Sequence, residues 1–313
     1  MAWSQTLEAY DLLDSAHAGG ERVAEAIRKR GAECQVVKVA GEKGSTDFVR
    51  VVFPGTRGRS IGGDARTLGI IGRLGGIGAR PARIGLVSDA DGAITAVACA
   101  LKLAEMRREG DPLPGDVIVA THICPRAVVM QIAPVAMMNS PVDIATMNAH
   151  EVDPAMEAIL SIDTTRGNRV INHKGIAMTL PVKEGYILRA GESLLDIYQW
   201  VTGLPPVVVP LATQDITPYG TGLRHINSIV QPSTATAAPV VGVALTAEVP
   251  VPGAASGASQ SADIETAVRF CLEVAKAFGE GSCEFYDRKE FDELLARYGP
   301  MRHLQTRGPE TPA

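Results

Sequence analysis

The chain has 313 residues, of which 46% are hydrophobic and 21% charged, and its mean hydropathy is +0.09. This composition supports a substantial core and excludes a wholly disordered chain. Thirty-five acidic against thirty basic residues give a formal net charge of −5, which provides no overall attraction for nucleic acid or anionic lipid. We therefore predict a soluble, folded protein that binds neither nucleic acid nor a membrane.

The cysteines and the N-terminal residues bear on where the protein resides. The five cysteines, spread along the chain, form no CxxC pair and lack the dense spacing of a disulfide-stapled secreted domain. The N-terminal residues are acidic and amphipathic, unlike a signal peptide, and no stretch approaches the roughly 20 apolar residues that span a bilayer. We expect reduced thiols and a cytoplasmic location.

The first third of the chain begins with two short helices. Apolar residues from Leu7 to Leu13 recur at helical spacing, and a second helix is predicted from Glu21 to Arg30. Valine-rich runs predict strands at 34–41 and 47–55. The glycine-rich stretch from Gly55 to Gly78 is predicted to be a loop. Its last glycines precede a strand, whereas a dinucleotide-binding loop follows a strand and begins a helix.

Strands and helices then alternate. The run RIGLV at 83–87 predicts a buried strand, SDADG a turn, and residues 93–109 a helix. A strand is predicted at 116–121, followed by a segment in which Pro125 suits the first turn of a helix. Further strands are predicted at 158–163, 169–171, 175–182, 186–190, 205–212 and 238–245, and further helices at 192–203, 262–279 and 287–298.

This alternation predicts an α/β fold with a mixed, mostly parallel sheet that has helices on both faces. We expect a single large domain from residue 1 to residue 300 and a flexible C-terminal tail from 301 to 313. In such sheets the ligand site lies beyond the carboxyl ends of the strands. Polar residues that follow strands are therefore the candidates for function.

Five such residues stand at predicted strand ends. Asp89 and Asp91 follow the strand at 83–87, His122 and Cys124 follow the strand at 116–121, and Asp163 ends the strand at 158–163. Carboxylate, imidazole and thiolate are ligands of zinc-like ions, and separate strands can gather them without a compact motif. An aspartate after a strand also commonly caps the next helix, and a histidine there is often structural. Both interpretations stay open.

Cys124 has a second possible role because it precedes Pro125 at a predicted helix N-terminus. The helix dipole favours a thiolate there, which makes Cys124 a candidate nucleophile or metal ligand. The alternative is a buried cysteine that packs as a small apolar residue.

The segment QDITPYGTGLRHINSIV at 214–230 contains candidate ligand contacts in Asp215, Thr221, Arg224 and His225, set among glycines that let a ligand approach the backbone. Arg224 can bind a substrate carboxylate through two hydrogen bonds, or it can be a solvated surface charge. The segment from Val249 to Asp263 is rich in small residues and suits a flexible lid, an anion-binding loop or a plain surface connection.

Taken together, these segments resemble the co-catalytic di-zinc exopeptidases, which include the tetrahedral and glutamyl aminopeptidases. RIGLVSDADGAITAVACALKLAE resembles the segment with the bridging aspartate, and AILSIDTT resembles the strand whose aspartate is a terminal ligand. The resemblance implies that Asp89 bridges two metals, that Asp163 binds one of them, and that the chain forms homo-oligomers. The whole chain also resembles a bacterial family of unknown function related to these peptidases.

Several positions depart from the exopeptidase pattern. FVRVVFPG lacks the family's first histidine, His122-Ile123-Cys124-Pro125 replaces its pair of glutamates, and GAASGASQSAD lacks its final histidine. Two aspartates alone do not hold two ions tightly, because a closed zinc site needs about four protein ligands. The general base is also missing unless His122 takes that role.

The leading hypothesis is a hydrolase of the metallo-exopeptidase fold that cleaves an amide bond in a small peptide or amino-acid derivative. It uses one divalent metal, expected to be zinc, held by Asp89, Asp163 and either His122 or Cys124, with His122 as the base if it is not a ligand and Asp91 as a further catalytic candidate. A second version makes Cys124 the nucleophile and His122 its base, without metal. The non-enzymatic alternative is a degenerate member of the fold that binds a small molecule or serves as an oligomeric scaffold.

Overall fold

A computed structural model of the chain describes residues 1–73, 86, 90–126, 128–131, 137–165, 167–219, 221, 229–251 and 259–307. Its main sheet is built from strands at the following positions: β1 Cys34–Gly41, β2 Gly44–Phe53, β3 Leu68–Gly72, β4 Val117–Ile123, β7 Ala158–Thr165, β8 Gly175–Thr179, β9 Val182–Lys183, β10 Tyr186–Ile187, β11 Val208–Val209 and β12 Val240–Thr246. A separate hairpin pairs β5 (Val128–Met130) with β6 (Met137–Asn139).

The helices in the described residues agree with most of the predicted ones. They are α1 Trp3–Leu13, α2 Gly20–Arg28, α3 Asp91–Arg108, α4 Ile144–Glu151, α5 Glu192–Thr202, α6 Ser261–Glu280 and α7 Arg288–Tyr298. Short 3-10 helices lie at Arg59–Ile61, Thr213–Ile216, Gln231–Ala235 and Arg302–Gln305. No helix in these parts of the chain combines the length and the apolarity needed to cross a membrane.

The main sheet is mixed, with the order β1-β2-β4-β3-β7-β12-β8-β11. Its four central strands, β4, β3, β7 and β12, are parallel to one another, and β2 and β8 join them antiparallel on either side. The predicted α/β fold with a mixed sheet is therefore confirmed. The carboxyl ends of the four parallel strands meet at one edge, which is where ligand sites of such sheets lie.

Helices cover both faces of this sheet, as predicted. Helices α3 and α6 pack on the face that carries Val119 and Leu160, within the largest core cluster. Helix α4 packs on the opposite face, against β2 and β4. Because neighbouring residues of a strand point to opposite faces, each central strand buries one set of side chains under α3 and the alternate set on the α4 side.

Four local predictions fail or cannot be compared. The predicted helix after Cys124 is wrong, since Pro125 and Arg126 form a turn that leads into β5. The predicted strand at 169–171 is absent from the described chain, and the predicted glycine-rich loop contains β3. The predicted strand at 83–87 lies almost entirely outside the described residues.

The predicted boundary at residue 300, between a single domain and a flexible C-terminal tail, stays a prediction. The chain just after it, Arg302–Gln305, forms a 3-10 helix, and the Gln305 side-chain amide donates a hydrogen bond to the carbonyl oxygen of Ser233. Arg302 also pairs with Glu184 at 2.7 Å.

The N-terminus of α3 lies directly on the backbone of the central strands at Gly92. A Cβ atom at this position would stand 2.3 Å from the carbonyl oxygen of Arg73 and 2.6 Å from that of Ile162. Both oxygens belong to the backbone at the carboxyl ends of the central strands, so neither can move without distorting the sheet. Glycine at 92 therefore sets how closely α3 approaches the carboxyl edge.

Replacing Gly92 with alanine is expected to lower the free energy of unfolding by about 1–3 kcal/mol, the usual cost of overpacking a core. Urea denaturation of the variant and the wild type measures this effect. Gly19→Ala is the matched control, because its new Cβ would meet only the Asp47 carboxylate at an ordinary 3.4 Å. Equal losses in the two variants would contradict the close approach at Gly92.

Candidate functional site

His122, Arg73 and Asp163 form one row across the carboxyl edge of the sheet, one residue beyond a set of paired residues in the central strands. Gly72 of β3 pairs with Thr121 of β4 on one side and with Ile162 of β7 on the other. The ladder continues one residue further, because the Arg73 N–H donates to the carbonyl oxygen of Ile162 at 2.7 Å. His122, Arg73 and Asp163 therefore stand side by side, with His122 and Asp163 about 10 Å apart at the backbone, two strand spacings.

A buried ion-pair network ties two members of this row to α4. The carboxylate of Glu151, the last residue of α4, lies 2.5 Å from Nδ1 of His122 through Oε1. Its other oxygen, Oε2, accepts a hydrogen bond from Nη1 of Arg73 at 2.6 Å. The side chains of His122 and Glu151 have no exposed surface and that of Arg73 is 2% exposed. One carboxylate thus orients an imidazole and neutralises a guanidinium.

Local contacts explain why α4 brings Glu151 to this edge. The Asp143 side chain caps the helix by accepting the N–H of Thr146 at 2.7 Å. Asn148 accepts from Arg73 at 3.1 Å and donates to the carbonyl oxygen of Gln231, also at 3.1 Å. The helix is therefore held both to the sheet edge and to the neighbouring 3-10 helix.

Two aromatic contacts extend from the same side of α4. The ring of Phe48, which pairs with His122 across β2 and β4, lies 5.7 Å from the His122 ring. On its other side Phe48 stacks on His150 of α4 with the centroids 4.4 Å apart. The imidazole of His122 is therefore fixed by packing as well as by its carboxylate partner.

The charges around Glu151 decide its protonation state. Burial by itself would raise the pKa of this carboxyl, but the Arg73 guanidinium and His122 lower it by more, so the net pKa lies below its ordinary value. Glu151 is therefore ionised at neutral pH. A buried carboxylate against an imidazole is a common means of holding a functional histidine in one orientation.

The lowered pKa of Glu151 makes stability depend on pH. A carboxyl whose pKa falls on folding stabilises the fold above its ordinary pKa of about 4.3, and this contribution is lost as pH falls through the folded-state value. Glu151→Gln lacks this titration. The gap in free energy of unfolding between wild type and variant is thus expected to narrow as pH drops from 7 to below about 4, measured by urea denaturation. A constant gap would argue against an ionised Glu151.

Cys124 lies two residues beyond His122 but differs from it in chemistry. Burial, with a smaller contribution from Glu151 and Asp47, raises the pKa of its thiol to about 12 despite the opposing effect of Thr46. Its Sγ donates to the Thr46 hydroxyl at 3.2 Å. Pro125 and Arg126 form a turn, so the helix N-terminus expected to favour a thiolate does not begin at Pro125. A thiol protonated at neutral pH opposes the nucleophile hypothesis.

Native protein treated with iodoacetamide at neutral pH is expected to leave Cys124 unmodified, because its thiol is buried and protonated. Mass spectrometry of tryptic peptides measures the labelling. The same treatment in guanidinium chloride is the control and should alkylate all five cysteines, which are free and buried in the fold. Complete labelling of Cys124 in the native state would restore the nucleophile hypothesis.

The other predicted site residues fall in three places. Asp163 is buried within β7, which continues two residues beyond it, and its Oδ1 accepts the N–H of Thr164 at 2.7 Å. Asp91 is the first residue of α3, on the opposite face of the sheet from α4. Thr221 is half-buried, while Asp89, Arg224 and His225 lie outside the described residues.

The fit of a metal ion can be tested on the donors that are described. No group of three or more His, Cys, Asp and Glu side chains in the described ranges comes together to hold an ion. Arg73 lies between His122 and Asp163, and the Cys124 thiol donates a hydrogen bond to the Thr46 hydroxyl. These residues by themselves do not fit a zinc site, which needs three or four ligands. The zinc centre that includes Asp89 stays a prediction.

Arg73 and Glu151 are not among the residues predicted from the sequence. Arg73 follows β3, where the sequence predicts a loop, and Glu151 ends a short helix that the sequence does not predict. The motif Ser140-Pro141-Val142-Asp143 does signal a helix start, because an aspartate N-cap follows a proline turn. Nothing local marks Glu151 as a partner of two residues 29 and 78 positions away.

A separate cavity of about 530 Å³ lies at the other edge of the sheet. Residues that precede the parallel strands line it, among them Arg66, Met156, Glu157 and Pro239. It is therefore remote from the row of His122, Arg73 and Asp163.

The fold and the row of His122, Arg73 and Asp163 define an α/β protein with a mixed sheet. A buried histidine–carboxylate–arginine network lies at the carboxyl ends of its parallel strands. The chain belongs to the DUF1177 family, described as a protein of unknown function, whose model matches residues 37–308. No curated protein matches the chain.

Two solved structures are similar to this chain at low identity. The bottromycin maturation enzyme BotP in complex with Mn has a TM-score of 0.49 and 15% sequence identity, over 87% of this chain and 71% of its own. The leucine aminopeptidase LAP1 of Caenorhabditis elegans has a TM-score of 0.49 and 11% identity, over 85% of this chain and 65% of its own.

Proposed function

We propose that this chain is a hydrolase that cleaves an amide bond in a small peptide or amino-acid derivative at the carboxyl edge of its parallel strands. The observation that supports this most directly is the contact of Nδ1 of His122 with the ionised, buried Glu151 at 2.5 Å. A carboxylate that orients one ring nitrogen of a histidine is a common feature of histidines that transfer protons.

In this proposal His122 is the catalytic base and Glu151 is a positioning residue. His122 takes a proton from the attacking water and returns it to the leaving amine. Glu151 holds the ring in one orientation and stabilises the imidazolium that forms between the two transfers. Arg73 keeps Glu151 ionised, so that its carboxylate remains an acceptor throughout.

Separately from this proton transfer, we propose that Asp163 and Asp89 are ligands of a divalent metal. No step of the proton transfer above depends on it. A homo-oligomeric state is likewise proposed and is measured by light scattering.

The second candidate function is binding without catalysis. The complete burial of the His122 side chain favours it, because a base must reach its substrate. This candidate predicts ligand binding with no hydrolysis by the same protein.

The test is an assay of the purified protein on a panel of aminoacyl amides and anilides, with metal content measured in parallel. We expect hydrolysis that is lost in His122→Asn and is retained in His150→Asn, the neighbouring histidine of α4. Absence of hydrolysis by the wild type across the panel, with and without added Zn²⁺ or Mn²⁺, would reject the hydrolase and leave the binding protein. Bound metal in the wild type and its absence from Asp163→Asn would support Asp163 as a metal ligand.

A further inference from the structure

Two threonines continue the α4 side of the sheet beyond the row of His122, Arg73 and Asp163. Thr165 is two residues after Asp163 on β7 and pairs in register with Thr246 at the end of β12. Alternation along the strands places both side chains on the face that Asp163 shares, because Leu160, Ile162, Val243 and Leu245 occupy the opposite face. Adjacent strands are about 4.8 Å apart, so the two side chains are neighbours.

Both hydroxyls are buried and unsatisfied. Thr165 is 4% exposed and Thr246 is 7% exposed, and neither Oγ1 has a hydrogen-bond partner within the part of the chain that the structure describes. A buried hydroxyl without a partner is costly, and most buried polar groups in folded proteins are paired. Two of them side by side at the ligand-binding edge of an α/β sheet are suited to a polar group that comes from outside the chain.

We propose that Thr165 and Thr246 form a subsite that hydrogen-bonds an uncharged amide group of the ligand. A hydroxyl both donates and accepts, and an amide presents both a carbonyl oxygen and an N–H. The subsite rests on the proposed function insofar as it holds part of the hydrolase substrate next to Asp163. It assigns to these residues a role in specificity and no part in proton transfer.

Thr→Val substitutions separate this role from a structural one, since valine has nearly the same shape and lacks the hydroxyl. In the free protein Thr165→Val and Thr246→Val are each expected to raise Tm by about 2–4 °C, because an unsatisfied buried hydroxyl is removed. The matched control is Thr179→Val. Its buried hydroxyl accepts the N–H of Gly242 at 2.8 Å and donates to the carbonyl oxygen of Leu180 at 2.9 Å, so this variant should lose stability.

Ligand binding is measured by calorimetric titration with N-acetylglycinamide, an uncharged diamide. Wild type is expected to bind it, and the Thr165→Val/Thr246→Val double variant to bind it at least about tenfold more weakly, as the loss of buried hydrogen bonds predicts. A lower Tm in the Val variants would overturn the proposal, because it would mean that the hydroxyls are already satisfied. Equal affinity in wild type and double variant, or no binding by wild type, would overturn it as well.

The same variants distinguish this inference from the proposed function. Binding that depends on the two hydroxyls, in a protein that hydrolyses none of the amides, would retain the subsite and reject the hydrolase. Hydrolysis with an unchanged KM in the double variant would reject the subsite and retain the hydrolase.

Discussion

Replacing Glu151 with alanine is expected to lower the free energy of unfolding by about 3–5 kcal/mol, the usual cost of removing one partner of a buried ion pair. The Arg73 guanidinium is 2% exposed, and in the variant it would remain charged in a desolvated position, where Asn148 and Met147 are its other hydrogen-bond partners among the described residues. His122 would also lose its partner at Nδ1. Urea denaturation at pH 7 measures the difference.

Two comparisons make this result specific to the buried network. Glu293→Ala removes one partner of the exposed Arg297–Glu293 pair, whose atoms are 3.5 Å apart, and should cost well under about 1 kcal/mol. The double variant Arg73→Met/Glu151→Leu removes both buried charges and should recover much of the stability lost in Glu151→Ala. A loss below about 1 kcal/mol in Glu151→Ala would show that the Arg73 charge does not depend on this carboxylate.

His122→Asn is expected to lower kcat for amide hydrolysis by about 10²–10⁴-fold, the usual contribution of a positioned acid–base group. KM should change little, because the proposed base acts mainly in the transition state. Steady-state kinetics on the best substrate of the panel measure both constants.

His150→Asn is the matched control for this substitution. His150 is the residue before Glu151 in α4 and stacks on Phe48, which also contacts His122. A general disturbance of this packing would affect both variants alike, whereas loss of the base affects only His122→Asn. If the two variants retained the same kcat, His122 would not be the base.

The parts of the fold that were predicted correctly are those whose pattern is set by local chemistry. The strand β1 is rich in valine, and the helices α3 and α6 are long runs rich in alanine and other helix-forming residues, so local sequence favours the observed structure. Strand β3 was missed because glycines occupy two of its five positions. A Cβ at Gly72 would meet the carbonyl oxygen of Gly92 at 2.3 Å, so glycine there reflects a contact with a distant helix, which local sequence does not reveal.

The candidate site was predictable only in part for the same reason. His122 and Asp163 can be named as candidates from the sequence because strand ends can be recognised locally. Arg73 and Glu151 were not found, because their roles follow from the alignment of β3 between β4 and β7 and from the position of α4. The raised pKa of the Cys124 thiol depends mainly on its burial, which local sequence does not reveal.

The position of Glu151 in the final turn of α4 couples the end of this helix to the buried ion-pair network. The helix ends there with the Val152 N–H donating to the carbonyl oxygen of Asn148 at 2.9 Å. Fraying of that single turn would take the carboxylate away from Arg73 and His122 at the same moment. Amide hydrogen exchange at Val152 therefore reports how often His122 and Arg73 lose their contact with the Glu151 carboxylate.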